Sequence, residues 1–315
     1  MYGERLVEPM SVSLWVDSET GPLESVVIGY PDTFVWPEPI NKKQRKFIDD
    51  PPTRPVLRTE FDGLISTLES RGIEVTQPLP VAGVPDQLTP RDIGFVVRDI
   101  FVIASMAPAT RRDEWIGLAP ILERIPPDKI VRVPEDVFVE GGDVIFDRGI
   151  LYVGLSERST HDGAAFLAEI FGGIAEVVPV ELNSFDGDED ILHLDCAFVP
   201  VGKHHALIYA DGMRSVPDAI HDQYEWIDVA REDQLELAAN VLSISPTTVI
   251  SRLASARVNA SLRDAGLEVI ELPFTGTPKS GGSFRCASLP LARAARDGTS
   301  NGMGKTKAAD AREKA

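Results

Sequence analysis

The stretch GGDVIFDRGILYVGL (Gly141–Leu155) sets two apolar, β-rich runs on either side of Asp147-Arg148-Gly149. A turn triplet ending in glycine between two such runs predicts a hairpin. HDGAAFLAEIFGG (161–173) follows with helical spacing and a glycine stop, and AEVVPVEL (175–182) then reads as a further strand. Hairpin, helix and returning strand make one ββαβ unit.

The same order recurs outward in both directions. Upstream, LESVVIGY (Leu23–Tyr30) predicts a strand, TEFDGLISTLESRG (Thr59–Gly72) an amphipathic helix with a glycine cap, and IEVTQP a strand. DIGFVVRDIFVIASM (Asp92–Met106) predicts a hairpin, RRDEWIGLAPILERI (Arg111–Ile125) a helix and KIVRVP a strand. Downstream, LHLDCAFVPVGKHHALIYA (192–210) leads into the helical DQLELAAN. The run VLSISPTTVI leads through the helix SARVNASLRDAG to the strand LEVIELPF. Five ββαβ-like units of about 45–60 residues, without identity between them, indicate an α/β architecture of radially repeated elements. A doubly wound sheet is the alternative, but no glycine-rich phosphate loop stands at a strand-to-helix turn. We expect an N-terminal extension over residues 1–22, one domain over 23–293 and a disordered tail over 294–315. Within the domain, PEPINKKQRKFIDDPPTRP (37–55) reads as a loop or lid.

Composition restricts the function. The 315 residues carry 49 acidic and 31 basic side chains, a formal charge of −18. Such a surface repels phosphate backbones and anionic lipid, so nucleic acid and membrane are unfavourable partners and a small cation is a favourable one. Two cysteines make no disulfide framework, and no metal-ligand spacing of Cys and His occurs. Neither a signal peptide nor an apolar run of about 18 residues is present, so a cytoplasmic location is expected.

Several motifs carry chemistry-bearing residues. His193 and Asp195, two apart in a strand-like run, should share one face, as a catalytic or a structural pair. Cys196 then faces away and reads as core. Cys286 follows the flexible Gly281-Gly282-Ser283 approach, which lets the backbone come close to a ligand; a buried thiol is the plainer alternative. EGGD (140–143) and PRD (90–92) place Glu140, Asp143 and Asp92 at strand entrances. Arg111 and Arg158 stand at strand-to-helix junctions, where a planar fork suits a carboxylate.

In order, PRD, MAPATRRDE, EGGDV, GLSERST, HLD, ARVNASLRDAGLEVI and GG-x-x-x-C resemble the guanidine-modifying (pentein) superfamily: arginine deiminases, dimethylargininases and amidinotransferases. The resemblance spans roughly residues 23–293 and implies a five-bladed αβ propeller with its active site on the axis. PRD and HLD are more similar to deiminases and amidinotransferases, since dimethylargininases usually carry a lysine where this chain has Asp195. EGGDV and GLSERST lean toward deiminases. The chain lacks the helical insert of bacterial arginine deiminases, and it has Ser283 where a third glycine is common.

The resemblance implies these roles. Cys286 is the nucleophile on the guanidinium carbon and His193 the general acid and base. Asp92, Glu140 and Asp195 hold the guanidinium. Arg111 and Arg158 bind the substrate α-carboxylate, and Asp143 either contacts the substrate or supports the Glu140 turn. Arginine hydrolysis to citrulline and ammonia through a covalent thiouronium is the leading expectation. Amidino transfer, methylarginine hydrolysis and a catalytically silent guanidine-binding scaffold are the alternatives. No metal or organic cofactor is required, and a homodimer is expected.

Overall fold

The computed structural model describes residues 12–183 and 191–294. Fifteen strands among the described residues form five three-stranded sheets of one design. The first sheet has β1 (Leu23–Ile28) at its centre, parallel to β2 (Glu74–Thr76) and antiparallel to β15 (Ser288–Arg293). In the second, β4 (Ile100–Ile103) lies between β3 (Gly94–Val97) and β5 (Ile130–Arg132). The third is β6 (Val144–Asp147), β7 (Ile150–Leu155) and β8 (Glu176–Glu181). The fourth is β9 (Phe198–Val201), β10 (His205–Ile208) and β11 (Glu225–Asp228). The fifth is β12 (Leu242–Ser245), β13 (Thr248–Arg252) and β14 (Glu268–Leu272).

In each sheet the central strand pairs antiparallel with one neighbour and parallel with the other. The parallel partner needs a crossover, which the helical segments supply. The decisive hairpin forms as expected. Arg148 and Gly149 both take positive φ, 53° and 79°, and link β6 to β7 with the twist a two-residue hairpin turn requires.

Side chains alternate along the central strands, and both faces are buried. On β3, Val96 joins a core cluster with Val27 and Leu289 of the first sheet. Its neighbours Phe95 and Val97 point the other way, against Val144 and Leu151 of the third sheet. Tyr152 of β7 turns toward Phe198 of the fourth sheet, and Val249 of the fifth joins that same cluster. Val26 and Ile28 of β1 pack with Leu242 and Ile250. The core therefore lies between neighbouring sheets.

Two local expectations are corrected. Residues 111–125 are not one helix but the 3₁₀ turns Ala109–Arg111 and Glu114–Leu118 followed by the short helix Ala119–Leu122. Pro120 lacks the N–H that a continuing helix needs and restarts the chain. Gly117 is pressed between the Leu79 carbonyl and Gln87, where a Cβ would come within 2.7 Å. His193 and Asp195 do not lie on a strand either. His193 precedes a 3₁₀ turn over Leu194–Cys196, because Asp143 Oδ1 accepts the Leu194 N–H at 2.9 Å and bends the chain there. The described part of the stretch before residue 23 packs onto the sheets. Trp15 N–H bonds the Leu291 carbonyl, Val16 pairs with Arg98, and Glu19 is buried. The expected tail lies outside the described residues, apart from Ala294. No described helix is long and apolar enough to cross a membrane.

Candidate active site

Cys286 stands just before β15, in a turn fixed from one side chain. Asn240 Oδ1 accepts the N–H groups of Ser283 and Cys286, both at 3.1 Å. Gly282 keeps the turn tight, since a Cβ there would come within 3.0 Å of the Cys286 side chain and 2.8 Å of Thr89. Asn240 gave no sequence signal, being an asparagine at the end of an unremarkable helical run.

Asp92 belongs to the short helix Pro90–Ile93 at the entrance to β3, and Glu140 precedes the 3₁₀ turn Gly141–Asp143 at the entrance to β6. Gly142 lets His193 and Asp92 meet; its missing Cβ would lie 2.5 Å from His193 Nδ1 and 2.9 Å from Asp92 Oδ1. His193 Nε2 is 2.8 Å from Glu140 Oε2, and its Nδ1 is 3.7 Å from Asp92 Oδ1. Glu140 Oε1 accepts the Ala107 N–H at 3.0 Å, so the carboxylate is held at both oxygens. Asp195 Oδ2 lies 3.6 Å from the Cys286 sulfur and accepts from Arg285 Nη1 at 2.8 Å.

One cavity gathers most of these groups. Asp86, Asp92, Arg111, Arg158, His193 and Cys286 line it, and the lid residues Ile40, Asn41 and Gln44 cover it. The enclosed space is about 20 Å³, room for one water molecule but not for an amino acid. The lid is latched shut. Asn41 caps the helix Lys42–Lys46, and its Nδ2 donates to the Ser280 carbonyl at 2.9 Å. Arg158 Nη2 donates to the Ile40 carbonyl at 2.8 Å. Outside the lid a larger groove of about 640 Å³ adjoins at Ile40, Asn41 and Leu192, and neither Cys286 nor His193 is among its described lining residues.

The electrostatics follow from burial and neighbours. Burial opposes a charged His193, yet Asp92, the Glu140 hydrogen bond and Asp143 overcome it and raise its pKa to about 9. Asp92 is likewise penalised by burial, but His193 and Arg111 hold it below the usual carboxylate range. Burial, then the Asp195 and Asp92 carboxylates, push the Cys286 thiol well up. The resting site is therefore an ionised histidine–carboxylate pair beside a protonated thiol.

The remaining expected residues are placed as follows. Arg111 lines the cavity, but its fork is already engaged: Nε and Nη2 donate to Glu114, Nη1 to Asp92 at 2.7 Å, and Nη2 also to Thr89. In this conformation it braces Asp92. Arg158 faces the cavity with Nη1 3.5 Å from Glu140 Oε2. Asp143 is not among the residues lining the cavity, and its N–H bonds the Glu140 carbonyl at 3.0 Å, which fits the expected alternative of supporting the Glu140 turn. Its oxygens are taken by the Leu194 N–H and the Ser156 hydroxyl, and burial raises its pKa to about 7 although His193 works against this. Asp195 and Glu140 stand behind Cys286 and His193, outside the lining. Cys196 is buried in the core cluster of the fourth sheet.

Comparison with known proteins matches residues 31–293 to the family model described as "N,N dimethylarginine dimethylhydrolase, eukaryotic". This is the branch that Asp195 speaks against in the motif reading. The "Uncharacterized protein YkgA" of Bacillus subtilis is 34% identical over 280 residues, 88% of this chain and 94% of that protein. Among solved structures, SxtG, an amidinotransferase from Microseira wollei, superposes with a TM-score of 0.78 at 18% identity, covering 90% of this chain and 98% of that one. The N-terminal domain of ArgZ, an arginine dihydrolase from cyanobacteria, gives 0.75 at 23% identity, covering 85% and 97%. At these identities the superpositions show a shared fold.

Proposed function

Because the chain belongs to the N,N-dimethylarginine dimethylhydrolase family of the pentein superfamily, we propose that it is a cysteine-dependent hydrolase of the guanidino group of free arginine. The five sheets are then the blades of an αβ propeller, with Cys286 at its axis. The observation that carries the reading is the convergence of Cys286, His193 and Asp92 on one cavity, with Asp195 and Glu140 directly behind them.

A guanidinium is a planar cation, resonance-stabilised against attack by water. Asp92 Oδ1, buried and without a hydrogen-bond partner, is placed to accept one of its N–H groups. Its positive charge offsets Asp92 and Asp195, and the Cys286 proton can then pass to water and on to solvent as the lid opens. The thiolate attacks the central carbon, and His193 gives its proton to the departing nitrogen as the C–N bond breaks. Ammonia leaves, and an S-alkyl thiouronium remains on Cys286. Water then adds to that carbon while His193 takes its proton, and C–S cleavage releases the ureido product and the thiolate. Opening of the lid frees the Ile40 carbonyl from Arg158, whose fork can take the substrate carboxylate, and Asp86 is the cavity acid that suits the α-ammonium.

The family match favours a second substrate, N,N-dimethylarginine. Incubation with each, beside a Cys286→Ala control, tests the proposal. Citrulline with ammonia from arginine supports the first reading, and citrulline with dimethylamine from the methylated substrate supports the second. Ornithine formed only after an amine is added would replace both with amidino transfer.

A further inference from the structure

Asp195 Oδ2 serves two groups at once, Arg285 Nη1 at 2.8 Å and the Cys286 sulfur at 3.6 Å. Arg285 is 1% exposed, one of the most deeply buried side chains in the protein. Its other nitrogen, Nη2, donates to Glu19 Oε1 at 2.8 Å and to the Val144 carbonyl. Glu19 comes from the segment before β1 and is fixed there by its own N–H, which donates to Asp147 Oδ1 at 3.1 Å. An unbroken path of contacts therefore runs from the N-terminal segment through Arg285 and Asp195 to the sulfur.

We propose that Arg285 and Glu19 are positioning residues that set how much negative charge Asp195 presents to the Cys286 sulfur. The segment before the first strand thus takes part in tuning the nucleophile. This rests on Cys286 being the nucleophile.

The charges work in alternation. A bare Asp195 carboxylate beside the sulfur opposes thiolate formation; the Arg285 cation reduces that opposition, and Glu19 in turn moderates Arg285. Burial works against an ionised Glu19, yet Arg285 and Arg91 hold its carboxyl at about 2, so it is charged whenever the protein is folded near neutrality. The other groups acting on the sulfur are Asp92 and Cys196, with His193 on the same cavity. Arg91 and Arg293 add positive charge beside Glu19. None of these is altered by the substitutions below.

The test is the pH dependence of iodoacetamide alkylation, read by mass spectrometry on the Cys286 peptide of the full chain. Glu19→Gln keeps an oxygen for Arg285 but removes the charge, and should lower the alkylation midpoint by about one pH unit. Arg285→Gln should raise it by about the same amount. Below both midpoints the rates should then differ from wild type about tenfold, in opposite senses. Unchanged midpoints in folded variants, or shifts in one direction only, overturn the proposal and leave the pair a packing role. If Arg285→Gln does not fold, Glu19→Gln decides: a downward shift supports the proposal and no shift overturns it. Alkylation needs no substrate, so opposite shifts in a protein that turns over neither arginine nor dimethylarginine would sink the proposed function and leave this inference standing.

Discussion

Nε2 of His193 lies 2.8 Å from Oε2 of Glu140, and both side chains are shut away from water. Glu140 cannot swing aside, because its other oxygen holds the Ala107 N–H. The pair is therefore preorganised to keep the imidazole charged, as the proposed proton transfer to a departing nitrogen requires. Glu140→Gln removes the ionised acceptor while keeping its shape. Activity should fall by about 10²–10⁴-fold, and the alkaline limb of the rate profile should move to lower pH. Steady-state rates across the pH range check both; an unmoved alkaline limb would mean that Glu140 does not hold the histidine proton.

Gly142 should be irreplaceable for a steric reason. An added Cβ would sit 2.5 Å from His193 Nδ1. Gly142→Ala must push the ring away by a sizeable fraction of an ångström, which costs about 100-fold in rate where alignment matters. Turnover measured alongside the melting temperature distinguishes this from general unfolding: the rate should collapse while the fold survives.

Asn240→Ala leaves the buried N–H groups of Ser283 and Cys286 without their acceptor. Each orphaned donor costs about 1–3 kcal/mol, so urea unfolding should show a loss of roughly 2–5 kcal/mol. A loss below about 1 kcal/mol would show that the turn finds other acceptors.

Stability should fall as pH rises from neutrality toward 9. His193 binds its proton more tightly folded, at about 9, than unfolded at its ordinary 6.5. Its contribution is therefore complete below about 6.5 and lost as pH passes through 9. Glu114, which burial raises to about 8 against the pull of Arg111, acts in the same sense over an overlapping window. Melting temperatures of wild type and His193→Gln between pH 6 and 10 separate the two. The wild type should show the steeper decline, and parallel curves would refute the assignment.

The hairpins were legible because apolar runs and turn residues coincide, as at Asp147–Gly149, and local physics decides such elements. The lid was legible as well, since a proline-rich polar stretch reads as a loop whatever it covers. His193–Asp195 was misread as a strand because its turn is dictated by Asp143, some fifty residues away, and no local pattern records that bond. Arg111 shows the same limit. A fork at a helix start reads as a carboxylate clamp, but its partner Glu114 lies three residues on and is already an occupant. Glu19 and Asn240 were invisible for a related reason: each acts on a part of the chain more than forty residues distant.

The register Val26↔Pro290 and Ile28↔Ser288 joins the first described strand to the last. During synthesis β1 and β2 emerge before the other strands of the five sheets, but the edge of β1 that awaits β15 stays unpaired until residues 288–293 have left the ribosome. Cys286 arrives with that same final strand, two residues ahead of it. Loop closure over such a separation is slow, so a nascent chain that stops short of residue 286 holds a sticky open edge and lacks Cys286. Closure of the first sheet and arrival of the proposed nucleophile are one late event.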